Sequence, residues 1–133
     1  MNTQKYVIAS LGAAVWLFFY GFVMNAFILM DYWIANTSPS LMRPEGEEIM
    51  WALVLSMLLQ GFALGYIFTR NFEAKGIGEG VRFGLLITWF IAGVYFLFYA
   101  IQPWGLGPTF VAIISDGVGY IGAGVVLSLL YKK

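Results

Sequence analysis

The sequence predicts an all-α membrane protein, a four-helix transmembrane bundle with both termini on the cytoplasmic side. Three observations carry that prediction. Four apolar runs, each long enough to cross a bilayer, are separated by short polar stretches. Only 11% of residues are charged and 61% are hydrophobic, which leaves too little charge to solvate a globular surface. Lys and Arg fall almost entirely into one alternate set of connections. At 133 residues the chain is read as one transmembrane domain, 1–133.

The first run covers residues 6–30. At about 1.5 Å per residue it reaches roughly 37 Å, enough to cross with tilt. Lys5 ahead of an apolar run imitates a secretory signal. The run is too long for a signal core, and Met24-Asn25-Ala26 is a poor cleavage site, so a retained helix is expected. Residues 31–48 then read as a loop punctuated by Pro39 and Pro44. Ser40 offers a helix cap, and Glu45, Glu47 and Glu48 suit the positive N-terminal turn of the next helix. Arg43 among those glutamates suggests a local ion-pair cluster worth under about 1 kcal/mol if exposed. Asn36-Thr37-Ser38 matches the N-glycosylation pattern and is read as chance.

The second run covers residues 49–68 and the third residues 81–101. The fourth, residues 109–130, is entered through the short uncharged stretch 102–108, which predicts a tight antiparallel hairpin of runs three and four. Lys5, Arg70, Lys75, Arg82, Lys132 and Lys133 all lie on one side after four crossings, and Arg43 lies on the other. By the positive-inside rule, both termini and the loop after run two are cytoplasmic. Tyr32, Trp33, Trp51, Tyr66, Trp104 and Tyr131 fall near run ends, where amphipathic rings favour the headgroup layer. The two halves share no motif, so no transporter-style inverted repeat is visible.

Composition also excludes chemistries. Formal net charge is zero, so no basic surface invites nucleic acid. The chain has no Cys and no His. Disulfides, thiolate chemistry, iron–sulfur clusters, the usual zinc sites and histidine acid–base catalysis are excluded with them. No metal, no cofactor and no enzymatic activity are expected.

Residues 115–124, inside the fourth run, hold the most conspicuous polar group. Asp116 is the one acid set well within an apolar run, about 10 Å below its outer end. A carboxylate at depth costs several kcal/mol unless it faces other helices. Asn25, Tyr95 and Tyr99 reach similar depths and are its candidate partners. Gln60, with Ser56 one turn before it, and Thr88 extend a candidate polar track; scattered interhelical hydrogen bonds explain the same residues. Residues 117–122 match G-x-G-x-x-G but follow no strand, so they carry no dinucleotide signal. Gly119, Gly122 and Ala123 read instead as a helix-contact surface, as do Gly61 with Gly65, and Gly21 with Asn25. In the second connection, Gly76, Gly80 and Gly84 recur every four residues, and Glu79 and Arg82 are spaced to pair. Arg70, Lys75 and Arg82 there are candidate lipid-headgroup contacts, with a structural loop as the simpler reading.

Tyr66-Ile67-Phe68-Thr69 and residues 72–84, from Phe72-Glu73-Ala74-Lys75 to Val81-Arg82-Phe83-Gly84, carry a likeness, with Leu41-Met42-Arg43-Pro44-Glu45 adding to it. These stretches resemble small bacterial four-helix integral membrane proteins of uncharacterised function. The resemblance implies a bacterial inner-membrane location. It supplies no activity, cofactor or site residue. The leading expectation is a non-enzymatic membrane protein in contact with the lipid bilayer, acting as a helix-packing homo-oligomer or as an accessory subunit of a larger membrane complex. The alternatives are a small transporter or channel with its polar site around Asp116, and a lipid-, quinone- or pigment-binding protein.

Overall fold

A computed structural model describes residues 2–37 and 46–131 of the chain. It is helical, with no strand among the described residues. Helix α1 spans Thr3–Phe22 and continues as a π-helical segment, Val23–Ile28. A short helix α2 covers Met30–Asn36, followed by α3 at Met50–Arg70, α4 at Ile77–Ile101 and α5 at Leu106–Leu130. Four stretches are long and apolar enough to cross a membrane: Thr3–Ile28, Met50–Arg70, Ile77–Ile101 and Leu106–Leu130. This composition is compatible with an integral membrane protein.

Two expected boundaries need correction. The first apolar run does not continue as one helix to residue 30. Leu29, at φ −101° and ψ −2°, breaks it, and the chain restarts as α2. What reads as the start of a loop is therefore a seven-residue helix, closed where Thr37 Oγ1 donates to Trp33 O at 2.5 Å. The roles expected of Pro39, Ser40, Arg43, Pro44, Glu45, Lys132 and Lys133 lie outside the described residues.

Helix α5 packs along α4 on one side and α1 on the other, and α1 carries α3. The expected hairpin of runs three and four is thus the α4–α5 pair. The core lies at the end that bears both termini. There Ala9, Ala13 and Leu17 of α1 meet Leu64 and Phe68 of α3 and Ala123, Leu127 and Tyr131. Phe68 packs edge-on to Phe83, bringing α3 against α4, and Phe72 packs on Tyr131. The main chain of Asn2 donates to the Tyr131 hydroxyl. We call this end the terminal face.

Small residues set the distances between helices. A Cβ at Gly61 would come within 2.7 Å of Ser10 O and 2.9 Å of Ala14 N on α1, so α3 and α1 approach backbone to backbone there. Gly80 of α4 and Gly124 of α5 face each other so closely that a Cβ on either would strike the other's carbonyl. Gly84 continues this contact against Tyr120 and Ile121. Gly65 packs on Ser10, as its spacing suggested, whereas Gly21 faces open space and makes no helix contact. Gly76 is outside the stripe too. It precedes α4 at φ 76°, in the left-handed region open to glycine.

The turn between α3 and α4 is organised by Glu79, which is only 6% exposed. Its two carboxylate oxygens accept from the main-chain N–H groups of Glu73, at 2.6 Å, and Lys75, at 2.9 Å. Glu79 does not pair with Arg82. Arg82 reaches Glu73 at 3.1 Å, and Lys75 reaches the other Glu73 oxygen at 2.8 Å. The turn's main chain offers N–H donors inside Glu79's reach, so the local i, i+3 partner loses. Arg70 lies over the Tyr66 ring at 5.9 Å.

Candidate functional site

At the end opposite the terminal face, the helices part around a cavity of about 350 Å³. Its walls are Asn25, Trp33, Thr37, Tyr95, Trp104, Ala112, Ser115 and Asp116. Each wall has a local cause.

Asn25 comes from the π-helical segment, where the N–H of Leu29 bonds to Met24 O at 2.7 Å, five residues back. Single π turns inside helices occur often at functional sites. The Asn25 side chain donates to Gly21 O at 3.0 Å, and its Oδ1 accepts from Trp33 Nε1 at 3.0 Å. The π turn, the Leu29 break and this hydrogen bond together fold α2 back over the cavity. Trp33 is 8% exposed and meets Trp104 edge to face, with ring centroids 6.4 Å apart. Trp104 is steadied by its own Nε1, which donates to Gln102 Oε1 at 2.9 Å. The two indoles form a roof whose planes stand at 81°.

Helix α5 supplies the carboxyl wall. Pro108 sits in its first turn, where a missing N–H costs nothing, and Thr109 Oγ1 donates to Gly105 O. Asp116 follows ten residues after Leu106, about 15 Å along the helix. One of its oxygens accepts from the Tyr95 hydroxyl of α4. Among the described residues, no Lys or Arg lines the cavity. The ion pairs among the described residues, Lys75 and Arg82 with Glu73, are at the other end of the molecule.

Beneath Asp116 the bundle closes. Tyr20 donates to Ser115 O at 2.6 Å and Trp16 donates to Gly119 O at 2.8 Å, with the two rings stacked. Gly119 accepts the Tyr20 ring and Gly122 the Trp16 ring, while Ala123 is wholly buried. Gly117 lies against Thr88. The small face of α5 thus receives large rings from α1 as well as the backbone of α4. The cavity ends on this floor.

Of the residues singled out in the sequence, Asp116, Asn25 and Tyr95 meet at this cavity. Tyr99 lies exposed on α4 and outside it. Gln60 belongs to a separate group: Tyr120 donates to Gln60 Oε1 at 2.8 Å, and Gln60 donates to Ser56 Oγ at 3.0 Å. Thr88 spends its hydroxyl on Gly84 O. The expected continuous polar track is therefore two clusters, with Tyr120 one turn along α5 from Asp116. Trp33, Thr37, Trp104 and Ser115 are site residues that the sequence reading did not collect. The available signal was that Trp33 and Trp104 both flank the end of the bundle to which Asp116 is nearer. Among the described residues, no group of three or more His, Cys, Asp or Glu side chains is placed to hold a metal ion.

Comparison with protein-family models, with curated proteins and with solved structures finds no match to this chain.

Proposed function

We propose that the protein is a four-span integral membrane protein that binds a small polar solute at Asp116, from the side opposite its termini. The observation that supports this reading is the cavity itself. A carboxyl with one hydrogen-bond donor among the described residues faces about 350 Å³ of space instead of a helix partner. A helix-packing role alone would close such a site, because an unpaired polar group inside a membrane protein costs free energy. The Lys and Arg distribution argues that the terminal face is cytoplasmic, which turns the cavity outward. The likeness to small bacterial membrane proteins argues for a bacterial inner membrane. Because the cavity is single-ended, this is the geometry of a binding protein or of one state of a carrier, not of an open channel. The role is non-enzymatic in this reading.

The absence of native cysteine makes the test clean. Ser115→Cys in intact cells is expected to react with a membrane-impermeant thiol reagent added outside, while Ala123→Cys, wholly buried, stays unmodified. Lys75→Cys, in the α3–α4 turn, is expected to react only after the membrane is opened. Protection of Ser115→Cys before and after the membrane is opened would overturn the cavity reading. Labelling of Ser115→Cys only from inside would reverse the orientation.

A further inference from the structure

We infer that the solute is an organic cation whose ammonium group pairs with the Asp116 carboxylate beneath the indoles of Trp33 and Trp104. This rests on the reading of the cavity as a solute site and names the chemistry it selects.

Four observations converge on that class. Among the described residues, the wall holds one acid and no base, so the formal charge they give it is negative. A carboxylate offers about four acceptor positions, and the described residues fill one of them, from Tyr95. A carboxylate withdrawn from water without a cation is costly, and no described Lys or Arg of the cavity wall supplies one. A ligand cation is the group that completes it. The amide of Asn25 is already committed on both sides, to Gly21 O and to Trp33 Nε1, so it does not compete as the main recognition group. The remaining wall is aromatic and small: Trp33, Trp104, the Tyr95 ring and Ala112. Aromatic faces attract ammonium groups, Trp most strongly, and two indoles at right angles present a corner in which one offers its face. A bare alkali or alkaline-earth ion fits less well. It needs a tight shell of six or more oxygens, and this space is wide and lined mostly by carbon.

The full chain is reconstituted in nanodiscs of phosphatidylglycerol, which carry no amine headgroup. It is titrated with choline and with 3,3-dimethylbutan-1-ol, the neutral isostere of choline, following indole fluorescence and calorimetry. Choline is expected to bind at least about tenfold more tightly than the alcohol, and Asp116→Asn is expected to abolish that difference. Trp104→Ala, outside the core, is expected to weaken choline several-fold and the alcohol by less, so that the difference between the two narrows. It serves as the deciding variant if Asp116→Asn does not fold. Suppression of choline binding by added phosphatidylethanolamine would identify a lipid headgroup as the source of the ammonium; unchanged binding would identify a free solute. Equal binding of choline and alcohol, insensitive to Asp116→Asn, would overturn the cationic class and leave the solute site standing. Sodium binding tighter than choline and dependent on Asp116 would overturn it in favour of a metal ion. Binding of neither probe, with Ser115→Cys still labelled from outside, would overturn the ammonium assignment alone.

Discussion

Glu79 at the start of α4 and Asp116 in the first half of α5 are both drawn in from the surface of one hairpin, yet their oxygens meet different things. Glu79 has each oxygen on a main-chain N–H of its own turn. Asp116 has one oxygen on the Tyr95 hydroxyl and otherwise faces a cavity. The helices around them differ in the same sense. Near Glu79, Gly80 and Gly124 let two backbones touch. Near Asp116, the space between helices is bounded by Tyr95, Trp33 and Trp104. Large side chains hold neighbouring elements apart, and small ones draw them together. An acid satisfied by its own chain is part of the scaffold. An acid left with spare acceptor capacity and room beside it is available to a ligand.

The strongest way to break this contrast is to add volume at each end of α4. Gly80→Val drives a side chain into the Gly124 carbonyl, with Ser128 Oγ within 2.9 Å of the first added carbon. The obstacle is backbone, so the helices must separate. A loss of roughly 3 kcal/mol is expected, read as a lower midpoint on unfolding in mixed detergent–SDS micelles. Gly93→Val, on the same helix but with nothing within 4 Å, is expected to change stability by about 0.5 kcal/mol or less. Equal tolerance at both positions would mean that the terminal face is not the tight end.

The two acids themselves give the next largest effect. Glu79→Ala leaves the N–H groups of Glu73 and Lys75 without their acceptor, at a cost of about 2–3 kcal/mol. Proteolysis at residues 71–76 should rise with it. Asp116→Asn keeps an acceptor for Tyr95 and removes a charge that has no counter-ion among the described residues, so stability should move by less than about 1 kcal/mol. The same unfolding assay decides. A large loss from Asp116→Asn with little from Glu79→Ala would exchange the roles given to them.

How much of this could be read beforehand follows the range of each signal. Four membrane-length helices were legible because apolar runs and their lengths are local properties. Asp116 with Tyr95 was legible because depth can be counted along two antiparallel helices. Gly119 and Gly122 were legible as contact positions, but not their partners, since nothing in α5 says that Trp16 and Tyr20 of α1 fill the space. The roof was not legible. Asp31 marks the end of the apolar run, but neither Gly nor Pro marks a break at Leu29 or a new helix after it, so the fold-back of α2 depends on Asn25 finding Trp33. Glu79 was misread for a related reason. Its spacing to Arg82 is a sequence pattern, while its actual donors are placed by the left-handed conformations of Ala74 and Gly76.

Glu73 sharpens the comparison with the smallest effect, because it is the exposed acid of the same turn. The hydrogen bond and charge of Lys75, then the charge of Arg82, hold its carboxyl below the ordinary value of 4.5. A depressed value means that folding favours the ionised form. The stabilisation is therefore complete above the ordinary value and fades as the pH falls through the lower folded one. Both partners are exposed, so the effect should be small and weaken with added salt. Wild type is expected to exceed Glu73→Gln slightly in unfolding midpoint at neutral pH, and the two curves should converge well below 4.5. A difference that persists there would assign Glu73's contribution to packing instead of charge. The turn would then be held by Glu79 and the left-handed main chain, with its surface cations free for other contacts.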